Sequence, residues 1–267
     1  MTYKLSIITV CYNEPNLEKT CKSIIEQTYQ DFEWIVVDGG SNEQTQNIWN
    51  KYKNRTNTFV SEKDSGVYNA MNKGIKQSNG EYLLFLNAGD YLFDKDALKK
   101  VIDKKLDRDI CYANNMVYED ENHSYIKRYP KVLDYSFWIK NTLCHQATFI
   151  KHELFEKYGF YNENHRIVSD LEIWILFLHV KKVSYKNIDV ICSVFINGGI
   201  STNKNYEELA YKERNELIDK YFTKEEIEKA QKEQYSLMEN IFSIKDHWDC
   251  KHKVLTVLGI HIKLKHF

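Results

Sequence analysis

Over residues 4 to about 110, short apolar runs alternate with stretches whose apolar positions recur at helical spacing. Leu5-Ser6-Ile7-Ile8-Thr9-Val10, Phe32-Glu33-Trp34-Ile35-Val36-Val37, Thr58–Val60 and Tyr82-Leu83-Leu84-Phe85-Leu86 read as strands. Helices are predicted after them at about Asn16–Gln27, Gln44–Lys51, Val67–Lys76 and Asp96–Asp103. Strands separated by helical patterns of this length imply βαβ units. Near-continuous apolar strands imply a mainly parallel sheet covered on both faces.

The alternation stops near residue 110. Short strands are predicted at Ile110–Ala113, Met116–Tyr118 and Tyr125–Arg128, with an acidic turn, Glu119-Asp120-Glu121-Asn122, between the last two. Helical patterns return at Tyr135–Lys140, His152–Tyr158 and Asp170–His179, and a strand at Val190–Asn197. No Gly/Ser/Pro linker intervenes, so this half is expected to pack on the same sheet. Residues Tyr206 to about Asn240 are charged and helical in period, with a break at Thr223. The tail Val254–Phe267 is apolar and basic. It reads either as a last strand or helix closing the fold or as a contact with a membrane surface or partner.

Composition narrows the class. A chain of 267 residues, 43% hydrophobic and 28% charged, buries a sizeable core without staples. Lys+Arg 37 against Asp+Glu 38 gives a net charge of −1, which argues against a general nucleic-acid binder. Six scattered cysteines with no C-x-x-C pair read as reduced thiols. The start Met1-Thr2-Tyr3-Lys4 lacks a signal-peptide core, and no apolar stretch approaches the roughly 20 residues of a membrane span. The expectation is a soluble cytoplasmic chain, with the tail as its membrane-facing part where it has one.

Ligands of open α/β sheets collect at the carboxyl ends of the strands. Those ends read Thr9-Val10-Cys11-Tyr12-Asn13-Glu14, Asp38-Gly39-Gly40-Ser41, Glu62-Lys63-Asp64-Ser65-Gly66 and Asn87-Ala88-Gly89-Asp90. Each carries a carboxylate. Of only ten glycines, Gly39, Gly40, Gly66, Gly89, Gly198 and Gly199 fall on these loops or on a later one. A lone strand-end Asp is ordinarily a helix cap; acids on all the loops together point to a site. Neither G-x-G-x-x-G after the first strand nor G-x-x-x-x-G-K-[ST] occurs, which disfavours the dinucleotide fold and the P-loop. A nucleotide here must be held by strand-end carboxylates on the base and a metal on the phosphates.

These residues resemble a family. Ser6–Asn13, Gln27-Thr28-Tyr29, Val36–Ser41, Glu62–Gly74, Gly80-Glu81-Tyr82 and Leu86–Asp90 are similar to the opening blocks of the family 2 glycosyltransferases. The likeness continues through Cys144–Phe149, Ser169–Trp174 and Gly198–Ser201, nearest to the bacterial capsule and exopolysaccharide branch. The resemblance implies an α/β GT-A fold: a Rossmann-like, mainly parallel sheet flanked by helices, with a mixed acceptor-side half and a helical C-terminal extension. It divides the chain into a glycosyltransferase domain over 1–205, with halves of about 1–110 and 111–205, and an extension over 206–267.

The resemblance also assigns roles. It sets the donor's base against Thr9, Cys11, Asn13 and Glu14 on one side and Asp38 on the other, where a carboxylate accepts the imide N–H of uracil. Gly40, Asp64, Asn72, Lys73, Asn87 and Ala88 complete the nucleotide side. Asp90 is the metal candidate for Mn²⁺ or Mg²⁺, since Asn87-Ala88-Gly89-Asp90 keeps only the last acid of the family's D-x-D. Asp170 falls where the family places the base of inverting transfer. Gly89, His145, Gln146, Trp174 and Gly199 fall on the donor and acceptor side, with Trp174 as a stacking platform for a sugar. No Q-x-x-R-W follows Asp170, so transfer of one hexosyl or N-acetylhexosaminyl unit is expected in place of processive synthesis. The expected partners are a nucleotide sugar, UDP-linked, and a glycan or lipid-linked acceptor. The rivals are a sugar-nucleotide hydrolase or nucleotidyltransferase on a similar sheet, the latter disfavoured because Asn13-Glu14-Pro15-Asn16 is not a Gly-rich basic loop, and a degenerate domain serving as an assembly subunit.

Overall fold

The computed structural model describes residues 3–119, 123–246, 252–257 and 260–265, with side chains through Glu233. The first half alternates as the pattern predicts: β1 (Tyr3–Cys11), α1 (Leu17–Ile25), β2 (Phe32–Asp38), α2 (Glu43–Tyr52), β3 (Thr58–Ser61), α3 (Val67–Gln77), β4 (Gly80–Phe85). β1 pairs in parallel with both β2 and β4, and β2 with β3. Both faces of these strands are buried. Leu5 and Ile7 pack with Trp34 and Val36 in one core cluster, toward Leu17, Cys21 and Trp49 of α1 and α2. Ile8 and Val10 pack with Ile35 and Val37 in the other, toward Met71 and Ile75 of α3. Each strand therefore supplies apolar residues in both directions, and no polar alternation remains.

After β5 (Tyr91–Leu92) and α4 (Ala97–Asp103) come β6 (Ile110–Tyr118), β7 (Ser124–Lys127), α5 (Tyr135–Lys140), β8 (Thr148–Lys151), α6 (Glu153–Tyr158), α7 (Ser169–Trp174) and β9 (Tyr185–Ile196). The main sheet runs β3-β2-β1-β4-β8-β6-β9-β5, with β7 hairpinned on β6. β8 is antiparallel to β4 and β6, and β9 is parallel to β6, which makes this half mixed. The two strands predicted over 110–118 are one. Asn114 and Asn115 sit at a register shift and stay in the strand because both amides are bonded, Asn114 Nδ2 to Asp189 (2.9 Å) and Asn115 Oδ1 from the Tyr129 hydroxyl (3.0 Å). The helix expected to His179 is α-helical only to Trp174 and continues as a π-helical turn over Ile175–Val180. The expected acidic turn falls, beyond Glu119, outside the described residues.

The C-terminal region begins with α8 (Glu207–Tyr221) and α9 (Lys224–Ile241), broken at Thr223, whose hydroxyl and amide both bond Glu226. Leu217 and Phe222 belong to the core cluster on the α3 face, so α8 packs on the main body. The tail is extended: β10 (Phe242–Asp246), β11 (His252–Val257) and β12 (Ile260–Lys265) form an antiparallel sheet. No helix among the described residues is long and apolar enough to cross a membrane.

Candidate active site

The strand order turns at β1, with β2 on one side and β4 on the other, and a cleft of about 900 Å³ opens beyond the carboxyl ends there. It is lined by Cys11, Tyr12 and Glu14 after β1, by Gly39 and Gly40, by Lys63, Asp64 and Gly66, by Asn87–Asp90, and from the second half by His145, Gln146, Arg166, Asp170 and Phe195–Ser201. Gly89 takes φ +103°, a left-handed conformation that lets the turn bring Asp90 back into the wall. At Gly39 a Cβ would overlap the Asp64 carboxylate, so these two loops touch. Burial raises the Asp64 carboxyl above its ordinary range, and it pushes the Cys11 thiol up to about 12.

Two carboxylates meet in the cleft by different routes. Asp90 is buried; its Oδ1 accepts the Ile196 amide (3.0 Å) and its Oδ2 accepts from Gln146 Nε2. Burial, opposed only in part by those bonds, raises its carboxyl to about 6. Asp170 stands in the first turn of α7. Its Oδ1 accepts the Leu171 amide (2.8 Å) and lies 3.3 Å from the Tyr68 hydroxyl, while Oδ2 lies 3.4 Å from His145 Nδ1. His145 Nε2 is 3.2 Å from Asn87 Nδ2, so the imidazole bridges the β4 end and α7. Tyr68 is held in turn, donating to the Ile167 carbonyl at 2.5 Å.

Several residues assigned from the sequence lie elsewhere. Thr9 points to the α1/α2 side of β1, where its hydroxyl accepts from Trp34 Nε1 (3.0 Å), away from the cleft. Asn13, at φ 52°, spends its Oδ1 on the Asn42 amide (2.7 Å) and closes the turn behind the wall. Asn72 is consumed by Tyr161 and Glu163, donating to both and accepting the Tyr161 amide. Lys73 pairs with Glu62 (2.7 Å) and bonds the Lys63 carbonyl, bracing that loop from outside. Trp174 is fully buried, its indole N–H on the Leu143 carbonyl (3.2 Å), and offers no face to a sugar. Asp38 sits one layer behind the lining, wholly buried. Its Oδ2 accepts from the Ser41 amide, Gln46 Nε2 and Ser61 Oγ, and its Oδ1 has no partner among the described residues. Cys11, Glu14, Gly40, Asp64, Asn87, Ala88, Gly89, Asp90, His145, Gln146, Asp170 and Gly199 all line the cleft.

The sequence reading passed over Tyr12, Tyr68 and Arg166, which also line it. Tyr68 lies within the Glu62–Gly74 stretch, and a tyrosine buried in a helix's first turn needs a partner for its hydroxyl, which is the signal that marks it. The Arg166 guanidinium stacks 4.8 Å over the Tyr206 ring and donates to its hydroxyl (3.1 Å). Nothing local marks that pairing, because Tyr206 comes from 40 residues away.

Among the described residues no group of three His, Cys, Asp or Glu side chains is placed to hold a metal ion unaided. Asp90 nevertheless suits a cation shared with a ligand: it is a desolvated carboxylate that no Lys or Arg among the described residues pairs with, and the buried Asn87 Oδ1 nearby is unpartnered. A Mg²⁺ or Mn²⁺ held there would draw its remaining ligands from water and diphosphate oxygens.

A parallel half joined through an antiparallel strand to a mixed half, with a cleft at the carboxyl ends of the parallel strands, is the architecture of the GT-A fold. The likeness extends to the solved structure of Staphylococcus aureus TarS residues 1–349 in complex with UDP-GlcNAc: TM-score 0.64 at 18% identity, over 87% of this chain and 73% of that one. Against the longer TarS chain, this chain spans 36% of its length. The chain belongs to glycosyl transferase family 2, whose model matches residues 6–165. It is 30% identical over 210 residues to a PGL/p-HBAD biosynthesis glycosyltransferase of Mycobacterium tuberculosis, covering 72% of this chain and 80% of that one. To the putative teichuronic acid biosynthesis glycosyltransferase TuaG of Bacillus subtilis it is 27% identical over 210 residues, covering 75% and 82%.

Proposed function

We propose that this chain is an inverting glycosyltransferase that moves a single hexosyl or N-acetylhexosaminyl unit from a UDP-sugar to a glycan or lipid-linked glycan in cell-surface polysaccharide synthesis. The observation that carries the proposal is Asp170: a carboxylate on the acceptor-side wall of the cleft, fixed by the Leu171 amide and facing His145. Relatives named for PGL/p-HBAD and teichuronic acid biosynthesis support the acceptor class, and a structural neighbour holding UDP-GlcNAc supports the donor class.

In this reading Asp170 Oδ2 takes the proton of the acceptor hydroxyl as its oxygen attacks the anomeric carbon. The bond from that carbon to the diphosphate oxygen breaks, and its electron pair leaves with UDP. Attack opposite the leaving group inverts the centre, so one base suffices. His145 holds the carboxylate's second oxygen toward the cleft. Asp90, with Asn87 beside it, would hold a divalent ion, and that ion would supply positive charge against the departing diphosphate. Lys63, on the first-half wall of the cleft, adds positive charge there, while the Arg166 guanidinium is engaged with Tyr206. In this reading the Gly39-Gly40 loop shifts so that Asp38 Oδ1, buried one layer behind the lining, accepts the uracil imide N–H.

Asp170→Asn tests the assignment. Turnover of the UDP-sugar is expected to fall roughly 10²–10⁴-fold with UDP affinity unchanged. Undiminished turnover removes Asp170 as the base.

A further inference from the structure

α8 reads as a solvated charged helix, yet Glu213 in its middle is only 5% exposed. A buried carboxylate is costly unless its charge is met by hydrogen bonds. Here backbone meets it. Oε1 accepts the Arg166 amide (2.7 Å), and Oε2 accepts the Ile167 and Val168 amides (2.9 and 3.2 Å). These successive amides form the approach to α7, whose helix starts at Ser169 and carries Asp170 in its first turn. The carbonyl of Ile167, the middle residue, receives the Tyr68 hydroxyl that also faces Asp170.

The next residue repeats the device with opposite sign. The Arg214 guanidinium donates to the carbonyls of Trp138 and Ile139 (3.1 Å each) and Asn141 (3.0 Å), at the end of α5. The chain runs from there to His145, and Trp174 of α7 bonds the Leu143 carbonyl along the way. One turn of α8 thus grips both backbone segments that deliver His145 and Asp170.

We propose that Glu213 is a positioning residue for Asp170: its carboxylate fixes the 166–168 backbone so that the base meets the acceptor hydroxyl in line with the anomeric carbon. The inference rests on Asp170 being the base. It makes the segment after residue 205 a working part of the active site. Glu213 touches no substrate and acts only through the loop.

The test compares Glu213→Gln, Glu213→Ala and Leu217→Ala in the full-length protein. Leu217, buried on the same helix, serves as a control for loss of stability alone. The readouts are acceptor-independent hydrolysis of UDP-glucose, UDP-galactose or UDP-GlcNAc, UDP affinity, and hydrogen exchange at the amides of residues 166–168. Misplacing a reacting group by about 1 Å can cost on the order of 10²-fold. Glu213→Ala is therefore expected to lower kcat roughly 10–100-fold. Glu213→Gln, which keeps one acceptor and sets an N–H against an N–H at the other, is expected to lose less. UDP affinity and donor KM stay at wild-type values, and exchange accelerates at residues 166–168. Leu217→Ala is expected to lower the melting temperature with kcat preserved. Wild-type kcat in Glu213→Gln and Glu213→Ala, or an equal kcat loss in Leu217→Ala, overturns the positioning role. Wild-type protein that neither binds UDP nor hydrolyses any of the three sugars overturns the catalytic reading, and this inference with it.

Discussion

Asp90 is costly to the folded chain through its burial, and under the proposed function a bound cation would offset that cost. In the folded, metal-free chain its carboxyl is raised from 3.8 to about 6 by burial, so the folded state holds the proton more tightly than the unfolded state. The resulting contribution is present in full below about pH 4 and lost as pH rises through about 6. Asp90→Asn removes that loss. The variant is expected to be more stable than wild type at pH 8, by about 1–3 kcal/mol, with the gap closing toward pH 4. Denaturant melts of both proteins in chelator at the two pH values measure it; an equal gap at both would mean that the charge is not responsible. With UDP and Mn²⁺ present the order should reverse, because only the wild type gains the metal. At this scale the sequence located loops better than side chains. Asp64, Asp90, His145 and Asp170 were legible as strand-end or helix-start polar residues. Thr9 was not, because a strand buried on both faces gives no polar alternation to show which way each residue points.

At the scale of elements, the sheet is set by close approaches that apolar patterning does not display. β4 begins at Gly80, opposite Tyr3 of β1. A Cβ there would come within 2.6 Å of the Ser6 nitrogen and 2.8 Å of the Leu5 carbonyl carbon. The buried Glu33 carboxylate knits the same corner, accepting from the Ser6 hydroxyl (2.6 Å), the Gly80 amide (2.9 Å) and the Asn79 amide. Backbone cannot swing aside as a side chain can, so Gly80→Ala must separate β1 from β4. The expected cost is roughly 2–3 kcal/mol, a fall of roughly 5–10 °C in Tm. Because the strain lies at the amino ends of the strands, away from the cleft, activity per folded molecule should be kept. A Tm change below about 1 °C would show that the strands part easily there. β1 to β4 and their helices were legible because each obeys one period throughout. β6 was read as two strands because Asn114 and Asn115 look like a turn until Asp189 and Tyr129, distant in sequence, satisfy them.

Across the whole molecule the cleft joins parts that the chain keeps apart. The family model ends at residue 165, and every strand-end loop of the nucleotide side precedes that point. Asp170, the proposed base, Gly199 and the α8 clamp follow it, in the region where sequence periodicity gave least guidance. Under the proposed function this division separates binding from chemistry. UDP should engage only the first-half loops and Asp90, and its binding should be indifferent to Asp170 and Glu213. Melting temperatures with UDP, GDP, CMP and TDP, each with and without Mn²⁺, read this directly. A nucleotide at 100 times its Kd adds about 2.7 kcal/mol, several degrees for a chain of this length. The expected pattern is a UDP shift that grows with Mn²⁺ in wild type and in Asp170→Asn, with the growth lost in Asp90→Ala. A larger shift with GDP would leave the fold reading intact and remove the uracil role of Asp38. If no nucleotide shifts the melt, the acids in the cleft serve no donor, and the chain acts as a non-catalytic assembly subunit.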